Sequence, residues 1–183
     1  MYPLLVILYL TGYGLPLDDF NIYEFLITLA SYFVIYFFAA WTLYFGEEFG
    51  WRVYLQDRLF PLLGGYKGVL VLGIIWGIWH YHMNAMGYNF PGQPILGNAL
   101  MTVFTIIFGI ILSYAVLKTG SIWIAVIMHL INNKLAGVVA VYIAYSTDAI
   151  LVNSISCILL GIFALVLFRS KVWRRVGKVL ESP

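Results

Sequence analysis

The stretch IYEFLITLASYFVIYFFAAWTLYFGEEFGWR, residues 22–52, carries a single charge, Glu24, between Ile22 and Phe45, and then Glu47, Glu48 and Arg52 in quick succession. The hydrocarbon core of a bilayer takes about 20 apolar residues of helix, so the first part reads as a membrane-spanning segment. The charges follow before the apolar pattern has ended and therefore sit at or inside the membrane. There each costs roughly 2.5 to 3.5 kcal/mol at helix-centre depth, and intramembrane ionisable groups that persist at that cost mark function and require partners.

The whole chain has the same character. Of its 183 residues 63% are hydrophobic and 10% charged, with a mean hydropathy of +0.94, whereas ordinary soluble domains carry about 25% charged residues. This predicts an all-α, polytopic transmembrane helix bundle forming one membrane-embedded domain over residues 1–183. A single cysteine excludes an internal disulfide framework and a thiol metal cluster, and Cys157 reads as a core or lipid-facing residue. The opening MYPLLVILYL lacks a basic n-region and a small-residue cleavage site, so no signal peptide is read. The net charge of +2 gives no reason to expect a nucleic-acid partner, because membrane topology accounts for the positive residues.

Apolar windows predict roughly five spans and a sixth, incomplete one. They are Ile22 to Phe45 with an amphipathic continuation to Phe60, Lys67 to Met86, Ile95 to Leu117, Ser121 to Tyr145, and Ala149 to Phe168. Tyr2 to Leu10 is cut short by TGYG and Pro16, and is either half-inserted or preceded by further sequence. PLDD, PLLGG, NFPGQP, KTGS and STD separate the spans. Arg169, Lys171, Arg174, Arg175 and Lys178 form a basic tail over residues 169–183, which the positive-inside rule places in the cytoplasm. Counting back puts Arg58, Lys67 and Lys118 on that side, and Asp18, Asp19, Glu24 and Asp148 opposite.

At 1.5 Å of rise per residue, Glu47 lies about 16 Å from Arg58, His129 about 12 Å from Ser121, and His80 about 19 Å from Lys67. Ionisable side chains from three helices thus reach a similar depth and can meet in one buried, cytoplasm-facing cavity. Glu48 with Arg52, Trp76 with His80, and His129 with Asn133 are i,i+4 pairs on common faces. Gly46 with Gly50, and Gly73 with Gly77, form small-xxx-small faces, for which plain helix packing is the expected use. Glu48 and Arg52 read as a neutralised pair, leaving Glu47 without an intrahelical partner. His82, two positions from His80, points away and reads as structural or at the rim. Trp76 reads as core or as an aromatic lid, and Asn132 and Asn133 as interhelical hydrogen-bonding groups. Lys134 is a lone interior cation that either turns to a carboxylate or receives one from a substrate.

EEFGWR (Glu47, Glu48, Arg52), WGIWH (Trp76, His80) and HLINN (His129, Asn133) together resemble the EExxxR, FxxxH and HxxxN/D motifs of the CAAX protease and bacteriocin-processing family, which includes the Ras-converting CAAX prenyl endopeptidase. The motif core spans residues 47–133. Trp76 replaces the usual Phe, a change that bears on pocket shape, and the chain is shorter than the prenyl-protease members, resembling their catalytic core or a smaller relative. The resemblance implies an intramembrane glutamate endopeptidase, and the absence of a tight metal-ligand motif predicts that it needs no metal or cofactor. Glu47 would be general base for a water that His80 positions, with His129 and Asn133 donating to the oxyanion and Glu48 and Arg52 supporting the helix and its charge balance. It further implies a prenylated protein or peptide C-terminus as partner, losing its last three residues, and a multi-pass protein of a prokaryotic cell membrane or the endoplasmic reticulum membrane. A desolvated carboxylate that takes and returns a proton suits this chemistry.

Three other readings fit the same residues. Two histidines and a glutamate suit catalytic zinc, although no HExxH is present. A related processing or immunity protein would act on unprenylated peptides with the same motifs. A transporter or scaffold would use the buried charges as an ion path.

Overall fold

The computed structural model describes residues 14–16, 21–88, 90, 92–145 and 149–176. The run Tyr2 to Leu10, the PLDD and STD acids and Lys178 lie outside the described residues. Asn21 opens the first helix, α1 (Ile22–Glu48), by accepting the Tyr23 and Glu24 backbone N–H groups on its Oδ1 at 2.9 and 3.4 Å. This satisfies donors that the first turn leaves without intrahelical partners. The helix runs directly into a π-helical segment, Phe49–Leu55, and on into α2 (Gln56–Trp79). The Gln56 N–H reaches back to the Trp51 carbonyl, the longer hydrogen-bond step that defines a π turn.

The run Ile22–Ala85 is 64 residues long, far beyond the about 20 needed for one crossing. It is not straight. Gly64 has φ 74° and ψ 161° inside α2, a conformation that glycine adopts without steric cost, and Pro61 three residues earlier removes a helical N–H. The chain doubles back there, which brings Trp51 within 6.1 Å of Trp76 and 6.0 Å of Trp79, ring centre to ring centre. The breaker read as PLLGG is thus a hairpin within one helical run.

A short helix, α3 (Tyr81–Ala85), leads to α4 (Pro94–Thr119), α5 (Ile122–Tyr142), α6 (Ala149–Phe168) and α7 (Val172–Arg175). Gly120, at φ 68°, closes α4 in the left-handed conformation and returns its N–H to the Val116 carbonyl. The span expected to end at Tyr145 stops as a helix at Tyr142, because Ile143–Tyr145 (β2) pairs antiparallel with Gly14–Pro16 (β1). That three-residue ribbon, with Leu15 opposite Ala144, is an exception to an otherwise all-helical architecture among the described residues. The Ile22–Ala85 run and α4 are each long and apolar enough to cross a membrane, and Asn153–Phe168 is a shorter apolar helix. Tyr23, Phe38 and Leu43 of α1 are 75, 73 and 68% exposed. So much outward apolar surface suits contact with lipid rather than water.

The helices associate chiefly as α2 on α4, α1 on α5 and α4 on α6, with α4 also touching α5. Glycine makes the α2–α4 contact possible. A Cβ on Gly73 would lie 2.5 Å from Ile106 Cα, and one on Gly77 2.6 Å from Thr102 Cα, so this small-xxx-small face is used for close packing as expected. Gly73→Leu drives a side chain into backbone that has no room to yield. It should cost at least about 1 to 3 kcal/mol, read as a lowered thermal midpoint of the purified protein in detergent.

Phe60, Tyr66, Tyr114 and Phe168 surround the buried Trp173 at one end of the bundle. Gly65 lies under the Trp173 backbone, where a Cβ would sit 2.5 Å from its carbonyl oxygen. Arg58, Lys67, Lys118 and Arg169 neighbour these residues in sequence, so the basic segments assigned to one membrane face do converge on one end of the bundle.

Candidate active site

Glu48 is fully buried at the junction of α1 and the π-helical segment. One of its carboxylate oxygens accepts from Arg52 Nε at 2.8 Å and the other from His129 Nδ1 at 2.8 Å. The Arg52 bond is the i,i+4 pair read from the sequence. The His129 bond joins two helices and was not legible there. Arg52, also buried, donates from Nη1 to Ser113 of α4 at 3.2 Å, and its guanidinium lies 5.1 Å from the centre of the Trp76 ring. Further hydrogen bonds help to offset the cost of burying such a pair, and this network extends across α1, the π-helical segment, α4 and α5, with Arg52 Nη2 left without a hydrogen-bond partner among the described residues.

The Glu48 contact fixes the His129 ring. An ionised carboxylate only accepts hydrogen bonds, so Nδ1 carries a proton and Nε2 is left to other partners. Tyr44, Trp76 and Phe108 enclose the imidazole edge-on, at 5.1, 5.4 and 6.0 Å between ring centres. Trp76 is 1% exposed and stacks on Phe108. It is buried and also borders the cavity, with Arg52 near its ring on one hand and His80 and His129 on the other.

His80 closes α2 as its C-cap. Its backbone N–H bonds to Gly77, one residue short of the α-helical partner, which frees the Trp76 carbonyl. The His80 ring takes up that carbonyl, with Nδ1 at 2.9 Å from the oxygen. A carbonyl cannot donate, so this nitrogen also bears the proton and Nε2 is an acceptor in the neutral ring. His82 is exposed, edge-on to Trp79 at 5.8 Å, and lies outside the cavity lining.

Glu47, His80, His129 and Asn133 line one cavity of about 410 Å³. The depth argument therefore brings together the residues it named. Glu47 is part-exposed to this space while Glu48, its neighbour, turns into the protein. Asn133 Oδ1 accepts from Asn132 at 3.0 Å. Among the described residues no group of three or more His, Cys, Asp or Glu side chains is arranged to hold a metal ion. The lining contains Tyr44, Thr105, Asn153 and Ser156, which the sequence reading did not single out. Tyr44 had a signal, since it lies four residues before Glu48 on the same helical face. Asn153 and Ser156 had a weaker one, as polar residues in an apolar helix.

A second, mainly apolar groove of about 400 Å³ shares Glu47 and Trp79 with the cavity and continues along Gly46, Gly50, Trp51, Tyr54 and Leu55. A Cβ on Gly46 or Gly50 would meet nothing within 4 Å. This corrects the packing use expected of these two glycines: among the described residues no helix lies against them, and they border the groove. Helical rise places Leu55 about 5 Å from the level of Arg58, and Met101 of the cavity about 25 Å from Lys118. The cavity therefore extends from the level of His129 deep into the half of the bundle away from the basic end, and the groove is what reaches closest to that end.

A family described as type II CAAX prenyl endopeptidase Rce1-like matches residues 28–135, a stretch that includes all three motifs. A curated relative named CAAX prenyl protease 2, from Methanococcus maripaludis, is 32% identical over 92 residues. That alignment covers 48% of this chain and 34% of the relative, so the matched part of the chain spans about a third of the relative's length. No solved structure matches. With more than half of its length inside the family match, the chain belongs to the Rce1-like family of type II CAAX prenyl endopeptidases.

Proposed function

We propose that this protein is an intramembrane endopeptidase that removes the last three residues of prenylated CAAX C-termini by attack of a glutamate-activated water. The observation that carries this reading is the division of labour between adjacent carboxylates: Glu48 is consumed by Arg52 and His129, while Glu47 faces a cavity shared with His80, His129 and Asn133.

In this mechanism His80 Nε2 accepts one hydrogen of the water, which directs the other to Glu47. Glu47 takes that proton as the water oxygen bonds to the scissile carbonyl carbon. The resulting oxyanion is held by Asn133 Nδ2–H and by His129. Since His129 Nδ1–H is engaged by Glu48, His129 donates from Nε2 only as the imidazolium, with Glu48 as its counter-ion. Donors of this kind commonly contribute about 10² to 10³ in rate each. Collapse of the intermediate breaks the C–N bond, and Glu47 returns its proton to the leaving amine. The isoprenoid chain lies in the groove over Gly46 and Gly50, and the basic end of the bundle faces the cytoplasm, from which the substrate arrives.

The test is incubation of the purified protein with a farnesylated CAAX peptide and its unprenylated twin, with mass spectrometry of the products. Release of an intact C-terminal tripeptide from the farnesylated peptide is expected, and no cleavage of it would overturn the reading. Preference for the unprenylated twin would favour a related peptidase acting on unmodified peptides. Gly50→Leu tests the lipid's place: a Cβ there meets no atom of the described residues within 4 Å, so the added side chain starts in open groove. KM for the farnesylated peptide should rise roughly tenfold, the equivalent of about 1.4 kcal/mol of lost binding, with that for the unprenylated twin unchanged.

A further inference from the structure

Lys134 is a cation in the membrane interior, one residue beyond Asn133 on α5, and it lines the same cavity as Glu47, His80 and His129. Its ammonium rests 4.2 Å from the centre of the Tyr36 ring, a contact that helps hold a desolvated cation without neutralising it. Among the described residues the interior ion pairs converge on Glu48, and none includes Lys134. A charge kept at this depth calls for an anion.

We propose that Lys134 receives the free C-terminal carboxylate of the substrate and so fixes which peptide bond meets Glu47. This rests on the endopeptidase reading above and adds to it the residue that measures the product. Lys134 lies five residues after His129, about 7.5 Å further along the helix axis, in the direction away from the groove. Three extended residues span roughly 10 Å, a distance the flexible lysine stem completes. The substrate then runs from its lipid in the groove, through its scissile carbonyl beside Glu47, His129 and Asn133, to its terminal carboxylate at Lys134. A lysine can serve as the point charge for a single carboxylate and needs no fixed fork geometry.

Two farnesylated peptides that differ only in ending as a free acid or as an amide provide the experiment. The natural protein should cleave the acid at least tenfold more efficiently in kcat/KM. Lys134→Met should abolish that preference mainly by raising KM for the acid, leaving cleavage of the amide close to its original rate. Lys134→Arg should retain the preference, and Lys134→Gln gives a second neutral variant if the methionine lowers the yield of folded protein. An acid preference that survives in both neutral variants overturns the assignment, as does a natural protein that cleaves acid and amide alike. A natural protein that cleaves neither overturns the endopeptidase reading and the Lys134 role with it.

Discussion

Glu47→Gln should reduce single-turnover cleavage of a farnesylated CAAX peptide by roughly 10²- to 10⁴-fold, the contribution usual for a positioned general base. The substitution keeps the size of the side chain and removes only its capacity to take a proton. Glu47 is part-exposed to the cavity and makes no ion pair among the described residues, so its neutral replacement leaves no charge stranded in the interior. Thermal stability and membrane insertion should therefore match those of the natural protein. A Glu47→Gln protein that cleaves at the natural rate would end the glutamate-base mechanism. One that is inactive because it no longer folds would show that Glu47 supports the bundle.

What the sequence made visible here is whatever depends on spacing along one helix. The apolar run from Ile22, the i,i+4 relation of Glu48 to Arg52, and the matching depths of Glu47, His80 and His129 follow from 3.6 residues per turn and 1.5 Å per residue. Glu48 and Arg52 are found paired, and Glu47, His80 and His129 border one cavity. What depends on the rotation of one helix against another stayed hidden. The pairing of Glu48 with His129 is set by how α1 faces α5, and no intrahelical spacing encodes that angle. Gly46 with Gly50 and Gly73 with Gly77 have the same pattern in sequence, yet α4 lies against the second pair and, among the described residues, no helix lies against the first.

The π-helical segment explains part of the difference. It changes the angular step between Phe49 and Leu55, so the residues of EEFGWR do not fan out as an α-helical wheel predicts. Single π turns concentrate at functional sites. Here Arg52 stays on Glu48 while Gly50, Tyr54 and Leu55 border the groove beside Glu47. Likewise, the cap at His80 comes from a shortened last turn that hands the Trp76 carbonyl to the histidine's own ring. A sequence reading that treats Trp76 and His80 only as neighbours on one face of a continuing helix misses the proton this bond fixes on Nδ1.

Glu48→Gln should damage folding and chemistry together. Sequence alone gave Glu48 the lesser part, a charge balance for Arg52, whereas the structure adds a direct hold on His129. Replacing the carboxylate by an amide leaves Arg52 in the interior without its counter-ion, and breaking a buried pair from one side costs about 3 to 5 kcal/mol. The thermal midpoint should drop sharply. The amide has one acceptor, and if Arg52 keeps it, the NH₂ group faces His129 Nδ1, which must then accept rather than donate. The imidazole loses the counter-ion for its charged form and its proton moves to Nε2. Cleavage per folded molecule should fall roughly tenfold, less than the about 10²-fold of a lost oxyanion donor, because Nε2–H still donates but from a neutral ring instead of an imidazolium. The discriminating measurement is single-turnover cleavage normalised to folded protein, made beside Arg52→Met, which removes the cation but leaves the Glu48–His129 bond in place. If both variants lose stability and only Glu48→Gln loses activity per folded molecule, Glu48 positions His129. If Arg52→Met loses as much activity, the guanidinium beside Trp76 is what the site requires, and the Glu48 contact with His129 has only a structural use.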